Sequence, residues 1–126
     1  MCNPQHSCPQ GIKTTAHVDP HNNAFVQIAG VKRFTLSPPS DYRHFEVFPT
    51  THPHSRQAQV HYDAPSESFS SAVRVVTVDL QPGELLWLPA YWVHAVEALT
   101  PTVSVSVVAP TPETALFENL QGGGLT

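Results

Sequence analysis

Charge is scarce in this 126-residue chain: Asp, Glu, Lys and Arg make up 13% of it, about half the share of an average domain. Only 6 residues are Lys or Arg, they form no cluster, and the formal net charge is −4. A groove that holds nucleic acid by neutralising phosphates is therefore not expected. Long apolar runs are missing as well. None approaches the roughly 20 residues that cross a bilayer, so no membrane association is expected. The first residues, Met1-Cys2-Asn3-Pro4-Gln5-His6, hold neither the basic nor the apolar stretch of an export signal. Cysteine is confined to Cys2 and Cys8. Two are too few to staple a secreted fold, and both read as free thiols. These absences together point to an intracellular protein, cytoplasmic or nuclear.

What is present fits one small globular domain. Hydrophobic residues reach 40%, enough for a core. The 13 prolines disfavour long helices, and the 8 histidines raise the question of a metal. Short β-type runs alternate with turn formers. Ala24–Ile28 reads as a strand, Ala29-Gly30 as a turn and Val31–Leu36 as a second strand stopped by Pro38-Pro39. Residues 37–70 read as a long insertion with one short strand at Gln59–Tyr62. Ala72–Leu80 and Glu84–Leu88 flank a Gln81-Pro82-Gly83 turn, and Val93–Leu99 pairs with Thr102–Val108. Pro112–Leu120 suits a short helix. The expected organisation is a loose lead over 1–12, a β core over 13–110, and a short helix with a flexible tail over 111–126. Many short strands spaced by turns indicate an all-β barrel or sandwich. Nothing in the pattern sets an oligomeric state.

His17-Val18-Asp19 places two metal-ligand side chains two residues apart, hence on one face of an extended segment. An imidazole and a carboxylate so placed, joined by a distant histidine, make the facial triad of non-haem iron oxygenases, which leaves coordination positions open. His94, in Trp92-Val93-His94-Ala95, is the candidate third ligand. A second His-x-Asp, His61-Tyr62-Asp63, competes with the first. The 75 residues between Asp19 and His94 let several strands carry the chain around a barrel and back. The 31 residues after Asp63 allow about two. Lys32 shares a strand face with Phe34 and Leu36. If that face is inward, the ammonium needs an anion, since burial without one costs several kcal/mol. A dicarboxylate would supply it. The other phase turns Val31, Arg33 and Thr35 inward and leaves Lys32 in solvent. Glu97, close to His94, is a candidate partner for it. Trp87, Tyr91 and Trp92 suit core and rim packing.

The run from Thr14 through His17, Asp19, Asn23, Lys32 and Phe34 resembles the JmjC (cupin-like) 2-oxoglutarate oxygenases. The likeness continues through Leu36-Ser37-Pro38-Pro39 and His52–Val60 and resumes at Pro82–His94, spanning about residues 14–110. Within that family it is most similar to the asparaginyl hydroxylase that acts on hypoxia-inducible factor. The resemblance implies a double-stranded β-helix of the cupin or jelly-roll type with a short C-terminal helix. Only 16 residues precede His17, so the barrel is open to being incomplete at its N-terminus. It implies Fe(II) held by His17, Asp19 and His94, with 2-oxoglutarate and O2 as co-substrates. Lys32, Thr14 and Asn23 would contact 2-oxoglutarate, and Arg56 and Gln57 the substrate. The implied activity is hydroxylation of a protein or peptide side chain. A tRNA-modifying relative within the class, and a non-catalytic metal-binding cupin module or truncated inactive JmjC fragment outside it, are the alternatives.

Overall fold

The computed structural model of the chain describes residues 7–116. Among them, strands β1 (Ser7–Cys8), β2 (Asn22–Ala29), β3 (Lys32–Ser37), β4 (Val76–Leu80), β5 (Leu85–Leu88), β6 (Val93–Ala98) and β7 (Thr102–Ala109) form two antiparallel sheets. One sheet has the order β1-β7-β2-β5 and the other β4-β3-β6. The turns expected to close hairpins instead carry the chain from one sheet to the other. β2 and β3 lie in different sheets, as do β4 and β5, and β6 and β7. This winding is the double-stranded β-helix that the sequence resemblance implies.

The corner at Gly30 shows why the chain crosses. Gly30 has φ +69°, and a Cβ there would collide with the Pro101 carbonyl oxygen, so only glycine lets the β2–β3 corner pack on the β6–β7 corner. Gln27, almost wholly buried, donates from Nε2 to the carbonyls of Ala29 and Gly30 and ties the corner from within. Between the sheets lie Phe34, Leu36, Leu80 and Leu88, with Phe25, Leu86, Trp92 and Val96 against them.

The insertion between β3 and β4 has its own core. A 3-10 helix, Pro39–Phe45, sends Phe45 into full burial against Phe69 of helix α1 (Glu67–Ala72), ring centroids 5.0 Å apart, and against Tyr62. Ala16, Val18, Ala58, Val73 and Val93 complete the cluster. No strand forms at 59–62. Gln59 and Val60 both donate to the Phe45 carbonyl, which wraps this stretch around Phe45 rather than along a sheet. The strand expected from Ala72 begins at Val76. The Ser66 hydroxyl caps α1 by accepting from the Phe69 amide, and Ala72 is spent in its last turn.

Ordered pairing begins inside the lead that reads as loose. Ser7 and Cys8 pair with Val103 and Thr102, and Gly11 and Ile12 exchange backbone bonds with Ala98. Cys8 is buried and disulfide-bonded, which corrects the expectation of a free thiol; Cys2 lies outside the described residues. Residues 112–116 are helical, with the Thr111 hydroxyl accepting from the Thr114 amide. The rest of the expected helix and tail lies outside the described residues. Trp92 packs in the core, whereas Trp87 and Tyr91 are about half exposed.

Candidate metal centre

His94 sits on β6 and is 2% exposed. Opposite it, the His17 segment is not part of a strand. It is held by an isolated bridge in which His17 and His94 exchange both backbone hydrogen bonds, at 3.0 and 2.9 Å. The Val18 amide donates to the Arg56 carbonyl, and the Asp19 carbonyl accepts from Tyr91. The segment is thus pinned on both edges in extended form, and the side chains of His17 and Asp19 emerge on the same side as His94.

One ligand atom from each of His17, Asp19 and His94 lies within 4.8 Å of the others. Asp19 Oδ2 stands 3.4 Å from His94 Nε2 and 3.9 Å from His17 Nε2. Each Nδ1 contacts a backbone carbonyl, that of Thr15 for His17 at 2.8 Å and that of Trp92 for His94 at 2.9 Å. A carbonyl can only accept, so each Nδ1 carries the proton. In the neutral ring Nε2 then presents a lone pair. Burial, then the neighbouring His94, pushes the His17 pKa down, which favours that neutral form. The adjacent His94 ring holds the Asp19 carboxyl below the usual carboxylate range, with help from His17 and Arg56 and against the opposing effect of burial. Two imidazole lone pairs and a carboxylate converge, and a divalent cation relieves their mutual repulsion. The donor set therefore fits a metal such as Fe(II).

The triad opens into a cavity of about 340 Å3 lined in part by Asn23, Lys32, Ser104 and Ser106. The Lys32 face is the inward one. Its ammonium reaches the cavity and donates to Ser104 Oγ on β7 at 2.6 Å, and desolvation lowers its pKa. The other expected contacts are distributed differently. Asn23 lines the cavity but donates from Nδ2 to Asp19 Oδ2 at 3.3 Å, leaving its buried Oδ1 without a partner. Thr14 is in the cavity wall, with its hydroxyl accepting from the Val96 amide. Arg56, at φ +71°, donates from Nη1 to Asp19 Oδ1 at 3.1 Å. Gln57 is exposed beside it and bridges to His17 through its backbone. His61 and Asp63 are exposed and line a separate hollow on the far side of β6. Glu97 also faces that hollow and pairs with Lys13 at 3.7 Å, not with His94.

The sequence reading missed Ser104 and Ser106 as cavity residues and Arg56 as the partner of Asp19. The serines were legible in the alternation Val103-Ser104-Val105-Ser106-Val107, which puts both hydroxyls on one face. The Arg56 pairing joins positions 37 residues apart across a loop, and no local pattern announces it.

A winding double-sheet barrel with a His-x-Asp…His cluster at one end agrees with the family comparison, in which the model of the cupin-like domain matches residues 8–108. The chain belongs to the cupin-like domain family. This cupin-like domain is 34% identical over 102 residues to lysine-specific demethylase JMJ30 of Arabidopsis thaliana, covering 78% of this chain and 23% of that protein. It is 32% identical over 102 residues to Jumonji C domain-containing protein 5 of Drosophila melanogaster, covering 78% and 25%. It is 31% identical over 114 residues to tRNA wybutosine-synthesizing protein 4 of Gibberella zeae, covering 85% and 10%. The cupin-like domain thus spans a quarter or less of these relatives. Among solved structures, a cupin superfamily protein from Desulfitobacterium hafniense superposes with a TM-score of 0.51 at 11% identity, over 83% of this chain and 62% of that one. A conserved protein of unknown function from Streptococcus pyogenes does so with a TM-score of 0.52 at 14% identity, over 83% and 60%. Among the described residues, no helix of the domain is long and apolar enough to cross a membrane.

Proposed function

We propose that residues 13–110 are the core of an Fe(II)- and 2-oxoglutarate-dependent dioxygenase that hydroxylates a protein side chain, in the manner of the asparaginyl hydroxylases. The observation that carries this reading is the convergence of His17, Asp19 and His94, with both Nδ1 protons committed to backbone carbonyls. Bound iron would supply O2 activation and C–H oxidation, with 2-oxoglutarate as the electron-donating co-substrate. The chain's own residues bind, orient and exclude water. His17, Asp19 and His94, which border the cavity, would hold the metal. Lys32 and Ser104 bind the far carboxylate of 2-oxoglutarate. Asn23 and Arg56 hold the two oxygens of Asp19, so the carboxylate keeps one orientation. Phe25, Phe34 and Val96 make the cavity wall apolar. Gln57, exposed at the mouth, meets the substrate.

A protein substrate is favoured over tRNA because the formal net charge is −4 and the 6 Lys and Arg residues are scattered along the sequence. The test is to add Fe(II) and then 2-oxoglutarate to the folded chain without oxygen and to look for the weak visible charge-transfer band of the chelate. The band is expected in the native chain and absent from His17→Ala. A folded chain that binds the metal but gives no band would make it a metal-binding module without this activity. A folded chain that binds no metal would end the reading altogether.

A further inference from the structure

Strand β7 inverts the alternation expected of a strand that packs one face on a core. Ser104 and Ser106 line the cavity, while Val103, Val105 and Val107 are exposed. An inward serine gives up the apolar burial that valine would gain at the same position, so it needs a polar contact to justify it. Ser104 has one, the Lys32 ammonium at 2.6 Å. Ser106 is partly buried, borders the cavity and has no hydrogen-bond partner among the described residues.

The register of β2 on β7 locates that hydroxyl. Gln27 stands opposite Ser104, Phe25 opposite Ser106 and Asn23 opposite Val108. The first row lies at the Lys32 ammonium, and the third lies at the metal centre, where Asn23 donates to Asp19 Oδ2. Successive rows are two residues, or roughly 6.8 Å, apart along the strand. Four carbon–carbon bonds of about 1.5 Å let an extended five-carbon diacid span roughly 5 Å between its end carbons, and its oxygens reach about 1 Å further at each end. A 2-oxoglutarate whose far carboxylate sits on Lys32 and Ser104 therefore brings its oxo-acid end level with Ser106. That end carries only acceptors, and Phe25, across the row, has no side-chain donor to offer it. Thr14, another hydroxyl in the wall, already accepts from the Val96 amide. We infer that Ser106 is a specificity-determining residue whose hydroxyl donates to the oxo-acid end of the co-substrate, while Lys32 and Ser104 read the far carboxylate. That role rests on the proposed co-substrate and divides its recognition between two serines of one strand.

Binding to the Mn(II)-loaded chain, followed by calorimetry, tests it with two probes. 2-Oxoglutarate carries both ends, and 2-oxopentanoate carries the oxo-acid end alone. Ser106→Ala should weaken both by the same factor, about 10-fold or more. Lys32→Met should weaken 2-oxoglutarate and leave 2-oxopentanoate unchanged. Ser106→Thr and Ser106→Val match in size and suit a strand, and of the two only the threonine variant should retain the affinity. Mn(II) affinity without either acid should stay at the native value in every Ser106 variant. Native affinity for 2-oxoglutarate in Ser106→Ala would overturn the role of Ser106 alone. So would a loss confined to 2-oxoglutarate, which would move Ser106 to the far carboxylate, or a parallel loss of Mn(II) affinity, which would make it a support of the metal centre. A native, Mn(II)-loaded chain that binds neither acid would overturn the proposed co-substrate and this role together.

Discussion

Replacing Lys32 with Met separates binding from stability, because the two should move in opposite directions. The Lys32 ammonium is half-buried, faces the cavity and has one neutral partner, Ser104 Oγ at 2.6 Å. If it meets the distal carboxylate of 2-oxoglutarate, it contributes a charge-assisted hydrogen bond of about 1.5–3 kcal/mol. Its loss should weaken 2-oxoglutarate binding by about 10- to 150-fold. The empty protein should not suffer. Burial depresses the lysine pKa, so the folded state holds that proton less firmly than the unfolded chain. That is a destabilising contribution, fully present below the folded pKa and lost as pH rises toward the ordinary 10.5. Lys32→Met removes it, so at neutral pH the variant should be at least as stable as the native chain. Its advantage should shrink as pH climbs toward that value. Calorimetric titration of 2-oxoglutarate into the Mn(II)-loaded protein gives the first quantity, and thermal melts of the metal-free protein at several pH values give the second. Unchanged affinity would refute the anion-binding role. Lost affinity with a large loss of stability would show that Lys32 acts by holding the fold, not the ligand.

Asp19→Ala should abolish metal binding and succinate formation, whereas Asp63→Ala should change neither; the reverse result would move the centre to the second His-x-Asp. Arg56→Ala frees Asp19 Oδ1, and loss of such a ligand-orienting partner should weaken Mn(II) binding by about 10- to 100-fold. Undiminished affinity in that titration would leave Arg56 as a substrate contact alone. Tyr62 donates to Ser37 Oγ at 2.9 Å, and burial pushes its pKa up to about 12. Tyr62→Phe should therefore cost about 1 kcal/mol at neutral pH in urea melts. A raised tyrosine pKa gives stability that is present below the ordinary 10.0 and lost as pH rises toward 12. The native chain's advantage over the variant should fade across that interval, and a constant gap would show that the hydroxyl is not held protonated by the fold.

The parts of the site that follow from local periodicity were legible, and the parts set by long-range closure were not. Spacing of two puts His17 and Asp19 on one side of any extended segment, and alternation in β3 puts Lys32 with the buried Phe34 and Leu36. Neither needs knowledge of the neighbours. Strand existence was also readable, but strand partnership was not. Ala29-Gly30 and Thr100-Pro101 have the composition of hairpin turns, yet each turns between sheets, because the steric demand at Gly30 comes from Pro101, 71 residues on. The insertion misled in the other direction. Gln59–Tyr62 has strand-like residues, but Phe45 captures its amides, and a buried aromatic ring outweighs a weak local preference. The Arg56 contact with Asp19 depends on where a loop returns, 37 residues on, which no spacing encodes.

The cavity departs from ordinary interior rules twice, and the two departures have opposite sign. At one place two imidazole lone pairs and the Asp19 carboxylate converge. At the other, Lys32 holds an ammonium against a single hydroxyl. Each arrangement costs free energy on its own, and natural folds tolerate such violations mainly where a ligand relieves them. A divalent cation alone would relieve the first and leave the cavity with two net positive charges, that of Lys32 among them. A dicarboxylate alone would relieve the second and leave two net negative charges, that of Asp19 among them. Together they cancel, and the cavity returns to the neutrality that Asp19 and Lys32 already give it. The same charge balance accounts for the polar lining between them. Asn23, Ser104 and Ser106 add hydrogen-bonding capacity without net charge, so they can orient both guests while leaving that balance intact.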